Sequence, residues 1–198
     1  MDPNHGARST SHLYAPIVGT ESFRTLHLQP ALDASAPLRF KFGVHSPDSD
    51  EEYEAISYTW GEPTLVHPVY LDDRSHVKVT KNLDGALRRF RDATKVRILW
   101  ADAICINQRD NEEKSTQIPL MARIFRNAQR VLAWLDGGVE TERGMRLLGE
   151  WSRIPRHSVT RNRLWHGEPY MSAWDVSEED CVSFRNFLGH AWFTRLWM

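Results

Sequence analysis

The feature that most constrains this chain is a change of hydrophobic period that repeats between residues 53 and 151. Tyr53 to Trp60 (YEAISYTW) reads as a strand, closed by Gly61-Glu62-Pro63. From Asn82 the period lengthens: Leu83, Ala86, Leu87 and Phe90 fall at i, i+3, i+4 and i+7, one apolar face of a helix. Val96 to Ala101 is strand-like again, and Lys114 to Ala128 sets Ile118, Met121, Ala122, Phe125 and Ala128 on one helical face. Pro119 belongs in the first turn of that helix, or it kinks it. Val131 to Leu135 is a short, fully apolar strand ended by Asp136-Gly137-Gly138, and Glu140 to Trp151 returns to the helical period with Leu147, Leu148 and Trp151 facing inward. Strand, helix, strand, helix, strand is the order of an α/β fold: an open, mostly parallel sheet with helices on both faces.

The flanks add to this frame. Residues 1–20 read as a flexible leader. Phe23 to Leu28 and Leu38 to Val44 alternate apolar and polar residues, and the connection Gln29 to Pro37 holds two prolines. These two strands are expected as an antiparallel N-terminal edge. An acidic loop, Ser46 to Glu52, leads into the Tyr53 strand. Pro68 to Leu71 and Val77 to Thr80 are short strands that Asp72-Asp73 joins as a hairpin. Residues 153–176 have no period and carry Arg153, Arg156, Arg161 and Arg163 among Trp165, Tyr170 and Trp174. Ser177 caps a last helix with Asp180 three residues on, and Cys181, Phe184 and Leu188 form its apolar stripe. The organisation expected is one domain over 21–198, its core motifs between 53 and 135.

Charge and cysteine content narrow the function classes. With 25 basic and 26 acidic residues among 198, the formal charge is −1, which argues against a nucleic-acid partner. Two cysteines make no disulfide framework and point to a reducing, cytoplasmic setting. Met1 to Ser11 lacks the apolar core of a signal peptide, and no apolar run is long enough to span a bilayer, so no membrane segment is expected. There is no P-loop, no Gly-x-Gly-x-x-Gly, no Gly-x-Ser-x-Gly elbow, and no His or Cys pair at metal-ligand spacing. The motifs therefore call for no metal and no cofactor.

The chemistry concentrates in Leu99 to Asp110, LWADAICINQRD. An apolar strand ends on Asp102, and Asn107, Gln108 and Asp110 follow. In a parallel sheet, such a strand presents polar groups at the carboxyl edge, where α/β proteins bind ligands. Asp102 is the candidate catalytic residue; it either caps the next turn through backbone N–H groups or holds a ligand hydroxyl. Asn107, Gln108 and Asp110 are candidate ligand-binding residues, with loop building as the competing role. Ser57, Trp60 and Gly61 join the set from the Tyr53 strand: a Trp at a strand exit can wall a pocket, and a Gly lets backbone approach a ligand. Cys105 lies between Ile104 and Ile106 and reads as core.

YEAISYTWG at 53–61, VTKNLDGAL at 79–87, LWADAICINQRDNEEKSTQIPLMARIF at 99–125, AQRVLAWL at 128–135 and the terminal AWFTRLWM together resemble the fungal heterokaryon incompatibility (HET) domain. The resemblance covers roughly residues 23–198 and keeps the motif order. It implies a protein of filamentous fungi that acts in non-self recognition and programmed cell death when unlike hyphae fuse, akin to innate immunity. It implies a signalling module working through protein partners or self-association. It also implies a fold related to the flavodoxin-like Toll/interleukin-receptor (TIR) domain. The TIR likeness carries an alternative, an NAD(+) glycohydrolase with NAD as substrate and Trp60, Asp102, Asn107 and Gln108 around it. The glutamate that such chemistry uses would follow Thr194 to Met198, where the sequence stops. The expectation is therefore a chain incomplete at its C-terminus, and an inert truncated copy is the third reading.

Overall fold

Seven strands form one sheet: β1 (Phe23–Leu28), β2 (Arg39–His45), β3 (Glu54–Tyr58), β4 (His67–Leu71), β5 (His76–Val79), β6 (Arg97–Trp100) and β7 (Arg130–Trp134). They are seen in a computed structural model that describes residues 13–19, 21–46, 49–72, 75–153 and 177–194. The order across the sheet is β5-β4-β2-β1-β6-β3-β7. β2 and β4 pair in parallel, as do β3 with β6 and β3 with β7, whereas β1–β2, β1–β6 and β4–β5 are antiparallel. It follows that β2, β4, β6, β3 and β7 run one way and only β1 and β5 run against them. The α/β class and the mostly parallel sheet hold.

The N-terminal strands sit elsewhere than expected. β1 and β2 are interior strands, and β5 and β7 are the edges. Both faces of β1 are covered: Arg24 and Thr25 are buried along with Phe23, Leu26 and Leu28. A charged residue at an alternating position reads as solvent-facing; here it points inward and is paired.

The chain divides into two compact units, Met1–Trp134 and Leu135–Met198. Among the described residues, the first holds the sheet and three helices. Helix α1 (Lys81–Phe90) is capped by Thr80, whose side chain accepts from the Leu83 N–H, and it buries Leu83, Ala86 and Leu87. A single turn, α2 (Asp102–Cys105), follows β6, and α3 (Asn111–Asn127) follows that. The core gathers both layers: Phe23, Leu26, Phe40, Ile56, Leu87, Leu99, Trp100, Ile104 and Ile124 lie in one buried cluster. All five residues of β3 are buried, as a strand with covered faces requires.

Two details of α3 differ from the sequence expectation. The helix starts at Asn111, capped by Asp110, so Pro119 lies in its interior, where it lacks the N–H that would bond the Ser115 carbonyl. Ile118 is exposed and the buried residues are Gln117 and Ile124, with Leu120, Met121, Phe125 and Ala128 packed beside them. Gln117 is drawn inward because its amide donates to the Ser22 carbonyl at 2.8 Å.

The second unit pairs α4 (Val139–Ser152) with α5 (Glu178–Leu188), followed by a 3-10 turn at Ala191–Thr194. Ser177 caps α5 as its pattern predicts, accepting from the Asp180 N–H at 3.0 Å. Arg143 of α4 donates to Asp180 at 2.6 Å and pairs with Glu179. Leu147 is buried but Leu148 is exposed; on α5 the buried residues are Ser183 and Phe187, and Leu188 is exposed. The stripe sits on Phe187 because Phe184 and Phe193 pack on its ring, with centroids at 6.0 and 5.1 Å. The Trp151 side chain, the Arg- and Trp-bearing stretch 154–176 and the last residues 195–198 lie outside the described residues. Among the described residues, no helix is long and apolar enough to cross a membrane.

Candidate functional site

β6, β3 and β7 lie side by side and run in parallel, so their carboxyl ends form one edge. Chain order supplies the rest. After β3 the chain leaves past β6 toward β4, and after β6 it passes β3 to reach β7, so the two connections leave this edge in opposite directions. The carboxyl edge of a parallel sheet is where α/β proteins place ligands.

Asp102 stands there. It is the first residue of α2, not its cap, since Ala101 occupies that position with no side-chain bond. One carboxylate oxygen, Oδ1, accepts from the Tyr58 hydroxyl at 2.8 Å and from the Ala103 N–H at 2.8 Å. The other, Oδ2, accepts from the Trp60 indole N–H at 3.0 Å. All three donors are uncharged. An ionised carboxylate offers about four acceptor positions, so one remains for a ligand hydroxyl or amide. Burial, then the Asp102 charge, then the bond to Asp102 hold the Tyr58 phenol well above its ordinary pKa of 10, so Tyr58 serves as a fixed donor.

Trp60 is about half exposed, its ring standing at the strand exit instead of in the core. Gly61 follows with φ +67°, a left-handed conformation that a side chain resists. The turn is held from behind by Asn82 of α1. Its amide donates to the Thr59 carbonyl and to the Thr59 hydroxyl, and its oxygen accepts from the Trp134 indole N–H at 2.7 Å. Asn82 therefore ties the ends of β3 and β7 to a helix N-terminus.

The other candidates divide by role. Gln108 folds back so that its amide donates to the Asp102 carbonyl at 2.9 Å. Asn107 accepts from the Arg109 N–H at 3.2 Å, an Asx-type bond that shapes the loop. Asp110 caps α3, accepting from the Glu112 and Glu113 N–H groups. Ser57 is buried and, by strand alternation, belongs to the face of β3 opposite Tyr58. Cys105 is fully buried and its Sγ accepts from the Ala101 N–H; burial pushes its thiol up to about 12, which removes it as a nucleophile.

Sequence reasoning passed over Tyr58 as a ligand of Asp102, Asn82 as a clamp, and the pair Arg24–Glu113. Arg24 is buried, bonds both oxygens of Glu113 at 2.5 and 3.0 Å, and donates to the Ala15 carbonyl at 2.6 Å. Glu113 also accepts from the Asn107 N–H at 2.7 Å. This ion pair fastens the loop after α2 to β1. The available signal was an arginine at an inward position of a strand, with a carboxylate in the first turn of the helix that follows the loop.

Comparison with known proteins agrees with this motif set. The sequence model of the family described as "Heterokaryon incompatibility protein (HET)" matches residues 53–198. Heterokaryon incompatibility protein 6, OR allele, of Neurospora crassa is 32% identical over 180 residues, covering 73% of this chain and 26% of that protein. The chain thus spans about a quarter of the length of that relative. No solved structure matches. With the matched region beginning at β3 and taking in every strand and loop that carries Asp102 and its donors, the chain belongs to the heterokaryon incompatibility (HET) family.

Proposed function

We propose that this chain is a signalling module of fungal heterokaryon incompatibility, which answers contact with non-self by driving regulated cell death, an immune-like response in the cytoplasm. The observation that carries the reading is family membership over 53–198, joined to a prearranged carboxyl edge. Tyr58, Trp60 and Asp102 present a carboxylate with an acceptor position to spare beside a half-exposed indole. That combination suits recognition of a polar group against an aromatic wall, from a protein partner or a second copy.

The test is inducible expression of the chain in a filamentous fungus. Growth arrest and hyphal death are expected on induction, and Asp102→Asn at equal protein level is expected to lose them. Growth equal to that of an empty vector on induction would overturn the proposal.

A further inference from the structure

β1 and β2 bring two histidines together where the sequence keeps them apart. In their antiparallel register Phe23 faces His45, Thr25 faces Gly43 and His27 faces Lys41. Opposed residues share a face, so His27, Thr25 and His45 all lie on the face where Gly43 carries no side chain. A Cβ built on Gly43 would collide with His27 Nε2 and would stand 2.9 Å from both His45 Nε2 and Thr25 Oγ1. Three polar atoms thus converge over one glycine.

Their bonding is unusual. Among the described residues, the fully buried Thr25 hydroxyl has no hydrogen-bond partner, and neither has the buried His27 Nε2. Buried groups of this kind are nearly always satisfied. The His45 ring is buried, and its other nitrogen, Nδ1, lies 3.1 Å from Glu51 Oε2. A carboxylate on Nδ1 fixes the neutral ring with its N–H there and leaves the Nε2 lone pair directed at the gap. This is the arrangement of metal-ligating histidines, whose far N–H is held by a carboxylate. The two imidazole rings lie 5.9 Å apart between centroids. Lys41, on the same face, turns its ammonium to Asp72 at 2.8 Å.

We propose that His27 Nε2 and His45 Nε2, with the Thr25 hydroxyl, form a binding site for a borderline divalent metal ion of the zinc class, standing off Gly43 on the β1–β2 face. Two imidazoles select such ions over magnesium or calcium, which take oxygen ligands. One water fills the fourth position that tetrahedral zinc requires. The ion gives the orphaned Thr25 and His27 atoms a partner and ties β1 to β2. The sequence hides the site because its ligands are 18 positions apart on different strands, outside any linear ligand spacing.

The experiment titrates the full 198-residue chain with zinc chloride at neutral pH, by calorimetry, and repeats the titration with cobalt for its visible spectrum. One ion per chain is expected, with His27→Gln and His45→Gln each weakening it by about tenfold or more. Glu51→Gln, changed at an exposed side chain, is expected to weaken it about ten- to hundredfold through the His45 ring. His76→Gln, on the exposed edge strand, is expected to leave it unchanged. Near-ultraviolet circular dichroism checks that each variant folds, and Glu51→Gln alone decides the matter if the histidine variants do not. Absence of zinc binding to the wild-type chain, which would leave a buried water as the partner of these atoms, overturns the proposal. So does binding of equal strength in the Glu51 variant and any folded histidine variant, which would assign it to surface histidines.

Discussion

At its amino end β3 carries Glu54, and at its carboxyl end it delivers Tyr58 and Trp60 to Asp102. The two ends treat a carboxylate in opposite ways. Glu54 meets two arginines from the neighbouring strands: Arg97 of β6 bonds its Oε2 at 2.8 and 2.5 Å, and Arg130 of β7 lies 3.1 Å from its Oε1. Arg97 also reaches back to the Phe90 carbonyl, so the C-terminus of α1 is fastened to the same end. Opposite charge across three adjacent strands fixes their register. Asp102 meets only a phenol, an indole and a backbone N–H, and among the described residues it pairs with no cation. One end spends its charge on assembling the sheet; the other keeps a charge that the fold has not neutralised, beside an exposed aromatic ring. That difference teaches which end is structural and which is presented.

The largest effect is expected at Glu54. Glu54→Ala leaves Arg97 and Arg130 facing each other across β3 without their counterion. Removing one member of a buried pair costs about 3–5 kcal/mol, and since both arginines are partly exposed to water the loss expected here is about 2–3 kcal/mol. Chemical denaturation measures it, and a loss below that expected for Asp102→Asn would reverse the assignment of the two ends.

Alkaline pH probes the other end. Tyr58 is held well above its ordinary value, and burial also raises Tyr53, bonded to the Ile124 carbonyl, to about 12. A group that titrates higher in the folded chain than in the unfolded one contributes stability that is complete below the unfolded value. In the unfolded chain these phenols ionise near pH 10; in the folded chain they keep their protons. Stability is therefore expected to hold up to about pH 10 and to fall as pH rises through the range above it. Thermal melts between pH 8 and 11 test this, and Tyr58→Phe is expected to flatten the fall.

Asp102→Asn changes the presented carboxylate itself. Asn keeps one acceptor oxygen for Tyr58 and Ala103 but turns an amide donor toward the Trp60 indole N–H, so one bond is lost and two donors oppose each other. The expected loss of stability is about 1 kcal/mol, with fungal toxicity abolished. A loss as large as that of Glu54→Ala, with toxicity falling only in proportion, would make Asp102 another assembly residue.

Much of this edge was legible in the sequence. Leu99 to Asp110 showed an apolar strand ending on a carboxylate, and periodicity located the strands and the two longer helices of the first unit, α1 and α3, to within a few residues, but not the single turn α2. Asp110, Asn107 and Ser177 cap or turn the chain locally, and local chemistry is what a sequence displays. Beyond the antiparallel β1–β2 pair, strand order was not legible, because the pairing of β1 with β6 and of β2 with β4 is decided by contacts far apart in the chain. The role of Arg24 was not legible because its partner Glu113 is 89 positions away. Ile118 looked buried because helical period alone does not reveal that Gln117 has a carbonyl, Ser22, waiting inside. The site was half visible for the same reason: Asp102 and Trp60 stand out singly, while Tyr58 and Asn82 acquire their roles only when β3, β6 and β7 meet at one edge.

The smallest effect on stability is expected at Trp60, and it discriminates most finely between presenting and assembling. Trp60→Phe keeps an aromatic ring at the strand exit and removes only the indole N–H that reaches Asp102 Oδ2. The bond lies where water can replace it, so the expected loss is under about 1 kcal/mol and the melting temperature moves by a few degrees at most. The Asp102 carboxylate keeps Tyr58 and Ala103 but gains a second open acceptor position and loses the contact that fixes its plane. If this end exists to present a fixed carboxylate beside an indole, toxicity falls sharply while stability holds. If toxicity survives Trp60→Phe and is lost in Trp60→Ala, the ring's surface is what the partner reads, and the carboxylate serves to aim it.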